Sequence, residues 1–221
     1  METVQILAWI IGSYLWGSLS PAHAAVKLAG GIDLRRYGTG NVGSSNVGAQ
    51  LGLAWLLLVG VLDLLKGFAP SAMAATGHSS PELPVIAGVA TLVGNNWSVF
   101  LGFAGGRGMA ATIGILLAWD ARLALLLLLI LALGWPLRRA ASASAIGLLL
   151  QAPASAILGL EPAFTAGTAL IVLVVAAKRL EANRLPLPSD PEKRRAVLCR
   201  RLWLDRDVPL DQPWQERHRL D

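Results

Sequence analysis

Three stretches of the chain combine residue types that can hold an anion, and each falls at or near the face expected to be cytoplasmic. The first is Gly17-Ser18-Leu19-Ser20-Pro21, followed by Asp33-Leu34-Arg35-Arg36-Tyr37-Gly38-Thr39-Gly40-Asn41-Val42-Gly43-Ser44-Ser45-Asn46. Closely spaced glycines let backbone N–H groups turn toward one anion, and arginines add charge and paired donors. Phosphate is the natural guest. A tight inter-helix turn, with Gly and Asn supplying positive φ, is the alternative reading; the density of these residues beside two arginines exceeds what a turn needs. The second is Asp63-Leu64-Leu65-Lys66-Gly67 inside an apolar run, where each charge costs about 2.5–3.5 kcal/mol to insert. Three residues apart, Asp63 and Lys66 share a helix face and can pair, either as a structural tie between helices or as part of a site. The third, Gly94-Asn95-Asn96-Trp97-Ser98 through Gly105-Gly106-Arg107-Gly108 to Thr112, sets one arginine in a glycine turn that leads into a helix. Backbone N–H groups there would add partial positive charge to the guanidinium. Helix packing through small residues accounts for Gly105 and Gly106 but not for Arg107.

The elements that must position these residues are membrane spans. Of 221 residues, 54% are hydrophobic and 15% charged, against about 25% charged in soluble domains. Of 19 Lys and Arg, 11 fall from Lys178 onward, with 8 of the 14 acids. A crossing helix needs roughly 20 apolar residues, and seven candidates are visible: 4–28, 47–75, 83–103, 108–119, 121–135, 141–158 and 163–177. The fourth and fifth are short and divided only by Asp120, so one broken segment could replace them. The expected fold is all-α and polytopic, about seven transmembrane helices with the N-terminus outside and the C-terminus cytoplasmic. That arrangement puts Lys27, Arg35, Arg36, Arg107, Arg138, Arg139 and the basic tail inside, as the positive-inside rule requires. Glu2, the turn from His78 to Glu82, Asp120 with Arg122, and Glu161 fall outside. Ala22-His23-Ala24 mimics a cleavage site, but basic residues follow the apolar segment instead of preceding it, so a retained span is expected.

Two parts are expected, a membrane domain over 1–185 and a basic, Pro-containing cytoplasmic tail over 186–221. The stretch from Lys193 to Trp203 is basic and amphipathic; the tail either lies on the anionic inner leaflet or is solvated and partly disordered. Scattered aromatics without a basic groove argue against nucleic acid. Cys199, the sole cysteine, permits neither an intramolecular disulfide nor a zinc cluster. A buried or inert thiol is expected.

Taken in order, Gly17-Ser18, Lys27, Asp33-x-Arg35, Gly38-Thr39-Gly40-Asn41-x-Gly43, Asn46, Asp63-x-x-Lys66-Gly67, Gly94, Phe100, Phe103-x-Gly105-Gly106-Arg107-Gly108 and Thr112 resemble the bacterial acyl-phosphate-dependent glycerol-3-phosphate acyltransferases, the PlsY type. The resemblance runs from about residue 12 to 185. It implies a seven-helix fold in the bacterial inner membrane with motif loops facing the cytoplasm. It also implies transfer of a fatty acyl group from acyl-phosphate to the 1-hydroxyl of glycerol 3-phosphate, giving lysophosphatidate for phospholipid synthesis, with no cofactor or metal. The acyl donor is already an activated mixed anhydride, so positioning and charge stabilisation suffice. The resemblance assigns catalysis to Ser18, Arg35, Asn41 and Lys66. Phosphate binding goes to Arg35, Gly38, Thr39, Gly40, Asn46, Gly105, Gly106 and Arg107.

The chain departs from that family's usual pattern. Asn95 and Lys178 stand where histidines are usual, Ser98 for Pro, Arg107 for Lys, Ser44-Ser45 for Ala-Thr, Ala49 for Arg, and Glu181 for Asn. Arg107 keeps the charge, but Asn95 takes no proton at neutral pH, leaving a substrate phosphate to do so. The missing histidines keep open a homologue that binds phosphorylated lipid precursors without turnover. A small transporter would want repeat halves, and no internal repeat is visible.

Overall fold

The computed structural model describes residues 3–31, 33–37, 39–76, 80–137 and 139–210. Of the residues named above, Glu2, Gly38, His78 and Arg138 lie outside these. Among the described residues all regular structure is helical: α1 (Thr3–Ser18), α2 (Pro21–Gly30), α3 (Ser44–Leu51), α4 (Leu53–Thr76), α5 (Glu82–Asn96), α6 (Met109–Trp119), α7 (Ala121–Gly134), α8 (Ala140–Leu149), α9 (Gln151–Ile157), α10 (Pro162–Glu181) and α11 (Pro191–Leu204). Among the described residues, four helical stretches are long and apolar enough to cross a membrane: Leu53–Thr76, Glu82–Leu101, Ala140–Ile157 and Pro162–Arg184. Met109–Trp119 and Ala121–Gly134 are shorter apolar helices.

Two of the spans drawn from hydropathy are divided. The run over 4–28 breaks after Ser18 because Ser20 accepts a bond from the His23 amide at 3.1 Å and Pro21 opens α2, a Ser-Pro helix start that hydropathy does not see. The run over 47–75 breaks at Gly52, whose φ of 93° suits glycine and separates α3 from α4.

Helix α4 is arranged for lipid. Leu53, Leu57, Val61 and Leu65, four residues apart, form an exposed apolar stripe, while Asp63 and Lys66 are only 7% and 5% exposed. A water-soluble helix shows the opposite pattern. Leu64 and Gly67, beside these charges, face α6, whose residues from Ala111 to Leu116 are all buried. A Cβ at Gly67 would lie 2.0 Å from the Ala111 carbonyl oxygen, and one at Gly114 would lie 2.0 Å from that of Leu64. Backbone therefore meets backbone where α4 crosses α6, which fixes the depth and rotation of the adjoining Lys66.

The described part of the tail, to residue 210, folds back onto the bundle. Helix α11 packs against α8 and α10, burying Val197 and Arg201. Solvated and leaflet-bound arrangements omit this docking, because the partners of Arg201 include the Leu180 and Leu185 carbonyls, whose positions depend on the fold. Cys199 is exposed, which removes the buried alternative of the buried or inert thiol expected; it sits on α11 away from the face that carries Val197 and Arg201.

Candidate active site

The polar centre begins with Lys66. Its Nζ donates to the Leu19 carbonyl at 2.8 Å and to Asn95 Oδ1 at 2.8 Å, and pairs with Asp63 Oδ1 at 3.0 Å. Three N–H groups thus meet three acceptors, which satisfies a buried ammonium. The expected Asp63–Lys66 pair is present, and it also ties the α1–α2 junction to the end of α5. Ser98 Oγ adds a second tie, donating to the Ser18 carbonyl at 2.6 Å. Ser18 Oγ itself is buried and has no hydrogen-bond partner among the described residues.

The two loops interlock beside this centre. Asn46 Nδ2 donates to the carbonyls of Tyr37 and Asn41, both at 3.0 Å, which closes the first loop on itself. The Val42 amide donates to the Gly105 carbonyl at 3.3 Å, and the Gly106 amide to that of Asn95 at 3.2 Å. Asn183, just after α10, donates through Nδ2 to the carbonyls of Gly40 at 3.1 Å and Gly105 at 3.3 Å. One side chain thereby holds first and third loops together.

Arg35 forms a two-pronged pair with Asp33, Nη2 to Oδ2 at 2.6 Å and Nε to Oδ1 at 2.9 Å, and its Nη1 donates to the Leu101 carbonyl at 3.1 Å. Hydrogen bonding from the Arg35 side chain pulls the Asp33 carboxyl from 3.8 down to about 2. Because the folded value lies below the unfolded one, the pair's stabilisation is complete above about pH 4 and is lost as pH falls through about 2. Acidification over that interval is expected to lower the unfolding midpoint of the wild type more than that of Asp33→Asn. Equal shifts in both proteins would refute this.

The structure brings Ser18, Arg35, Gly40, Asn41, Asn46, Lys66, Gly105, Gly106 and Arg107 into one connected set. Thr39 is exposed, and its Oγ1 accepts from the Asn41 amide at 3.3 Å, so it shapes the turn. Gly38 lies outside the described residues. Arg107 donates from Nε to Asp205 Oδ1 at 2.6 Å, a tail contact that no local pattern announced. Asn95, read from sequence only as a lost histidine, accepts from Lys66, and Asn183 was not expected to act at all. A short amide side chain among small residues near a helix end was the available signal for both. Five of the buried polar atoms without partners among the described residues belong to the three motif stretches: Ser18 Oγ, Asn41 Oδ1, Asn96 Nδ2, Thr112 Oγ1 and Arg107 Nη1. Native interiors leave few such atoms, and groups of them mark places where a polar ligand or water completes the site.

Fold and site together define an all-helical membrane protein with a polar, cationic site built where two glycine loops meet a lysine-bearing helix. The sequence model of the glycerol-3-phosphate acyltransferase family matches residues 7–186. The chain belongs to this family. The glycerol-3-phosphate acyltransferase of Shouchella clausii is 39% identical over 114 residues, 51% of this chain and 56% of that one. Glycerol-3-phosphate acyltransferase 1 of Deinococcus radiodurans is 36% identical over 146 residues, 66% of this chain and 73% of that one. The chain thus spans little more than half the length of several curated relatives it matches. Among solved structures, PlsY (YgiH), an integral membrane glycerol 3-phosphate acyltransferase, is similar in its glycerol 3-phosphate form with a TM-score of 0.73 at 31% identity, over 81% of this chain and 90% of that chain. Its lysophosphatidic acid form gives 0.71 at 29% identity.

Proposed function

We propose that the protein transfers a fatty acyl group from acyl-phosphate to the 1-hydroxyl of glycerol 3-phosphate, yielding lysophosphatidate and inorganic phosphate. The observation that carries the reading is that the interlocked motif segments bearing Arg35, Lys66 and Arg107 also carry buried polar atoms without partners among the described residues, Ser18 Oγ, Asn41 Oδ1 and Arg107 Nη1. A doubly anionic substrate pair requires several cations and oriented donors in one place. In the reaction the 1-hydroxyl oxygen attacks the acyl carbon, the bond from that carbon to the bridging phosphate oxygen breaks, and the departing phosphate takes the hydroxyl proton. No side-chain base is needed, which fits Asn95 and Lys178 at positions where histidines are usual. Arg35 and Arg107 hold phosphate on loops shaped by Gly40, Gly105 and Gly106; Ser18 and Asn41 orient the reacting groups. Lys66 offsets the Asp63 charge and aims Asn95.

The motif loops face the cytoplasm of a bacterial inner membrane in this reading, with the membrane domain over 1–185 and the tail over 186–221. Its support is that the basic segments meet at one end: Arg35 reaches Leu101, Arg107 reaches Asp205, and Arg179 bonds both Ala141, near Arg139, and Leu202.

Purified protein in lipid, given palmitoyl-phosphate, is expected to release phosphate only when glycerol 3-phosphate is present. Arg35→Ala should cut that rate about ten- to a hundredfold, the worth of hydrogen bonds to a charged group. Substrate binding without release in the wild type would favour the non-catalytic homologue instead.

A further inference from the structure

We propose that the tail completes the active site, with Asp205 as a positioning residue that sets the Arg107 guanidinium for a substrate phosphate. The inference rests on the functional reading above and adds to it a part of the chain beyond residue 186, where the family match ends.

The delivery of Asp205 is built with care. Arg201, 1% exposed, is clamped by four bonds: Nε and Nη2 to the Asp207 carboxylate at 2.7 and 3.0 Å, Nη1 to the Leu180 carbonyl at 2.8 Å, and Nη2 to that of Leu185 at 3.1 Å. From the bundle side, Arg179 Nη1 donates to the Leu202 carbonyl at 2.6 Å, and Ser142 Oγ to that of Trp203 at 3.2 Å. Anchors therefore lie on both sides of Asp205 in the chain. Asp205 ends α11 with φ 51° and ψ 34°, a left-handed turn that Asp tolerates better than most residues. Its carboxylate meets Arg107 Nε at 2.6 Å, in a pair whose side chains are 11% and 23% exposed.

The geometry leaves the arginine fit for use. Only Nε is spent on Asp205, while Nη1 is buried without a partner among the described residues. A guanidinium held by one edge is fixed in plane and keeps its other donors for a phosphate. Arg107 sits in a glycine turn, where its long side chain would otherwise lose rotamer freedom upon binding; the carboxylate removes that loss beforehand.

The test uses the full chain in lipid nanodiscs and reads two quantities, equilibrium binding of glycerol 3-phosphate and of inorganic phosphate, and steady-state turnover with palmitoyl-phosphate. Asp205→Ala is expected to raise the Kd, or the KM of a phosphate substrate, roughly tenfold, with kcat within about threefold, and to have no further effect on binding in an Arg107→Ala background. Asp205→Asn is isosteric and tolerates the positive φ, so it carries the test if the alanine variant does not fold. It keeps an acceptor without charge and should weaken binding about threefold. The proposal is overturned if both variants bind like the wild type or more tightly, or if they weaken binding equally when Arg107 is absent. Binding that responds to Asp205 without turnover would sink the acyl-transfer reading alone; turnover with binding indifferent to Asp205 would sink the positioning role alone. A wild type that binds neither ligand overturns both.

Discussion

Lys66→Met is expected to destabilise the protein by about 3–5 kcal/mol, the usual cost of stripping one member from a buried ion pair, and to leave no measurable acyl transfer. The substitution keeps the length of the side chain, so little volume changes. What it removes is the charge that offsets Asp63 and the donors to Leu19 and Asn95. Asp63, 7% exposed, would then stand nearly enclosed with no counter-charge. A second variant separates the two effects. Asp63→Leu combined with Lys66→Met should recover stability to within about 1–2 kcal/mol of the wild type, because a buried pair can be replaced by apolar groups of like size. It should remain inactive, since the Lys66 bonds that hold Asn95 and the Leu19 carbonyl stay lost. Thermal unfolding in detergent and a turnover assay report on both. A single variant as stable as the wild type would show that the pair is not the anchor described here.

Gly105→Ala is expected to lower kcat/KM by about a hundredfold, the scale set by a 1 Å misplacement of reacting groups, while costing only about 1–3 kcal/mol of stability as a local overpacking. A Cβ at this position would lie 2.3 Å from the Asn96 carbonyl oxygen and 2.4 Å from that of Asn95. Backbone cannot yield as a side chain does, so the loop itself must move. Its carbonyl accepts from both Val42 and Asn183, and the motion would draw the first loop and the end of α10 out of register with Arg107. The apolar helices stay packed, which is why activity falls further than stability. Wild-type turnover in this variant would mean that the meeting of the two loops is not what positions the substrates.

The membrane class and the three polar stretches were legible in the sequence because each is local: apolar length, glycine spacing, and two charges three residues apart. The Asp63–Lys66 pair follows from helix periodicity alone. The division of the first span at Ser18–Pro21 was also local, but hydropathy averages over it; a serine cap followed by proline was the overlooked sign. Other features required the fold. Asn183 joins loops whose bonded residues lie 78 and 143 positions away, and Arg107 meets Asp205 across 98. No short-range rule pairs them. Asn95 was read by what it cannot do, take a proton, whereas its value lies in accepting from a buried ammonium, an environment invisible before α4 and α5 are packed.

The most direct test is to look for the product. Purified protein in nanodiscs, supplied with palmitoyl-phosphate and isotopically labelled glycerol 3-phosphate, should form 1-palmitoyl lysophosphatidate carrying the label, detected by mass spectrometry in amounts matching the phosphate released, with none from Lys66→Met. Phosphate released without labelled lysophosphatidate, or no product from a folded wild type that binds both substrates, would contradict the assignment of this site to acyl transfer.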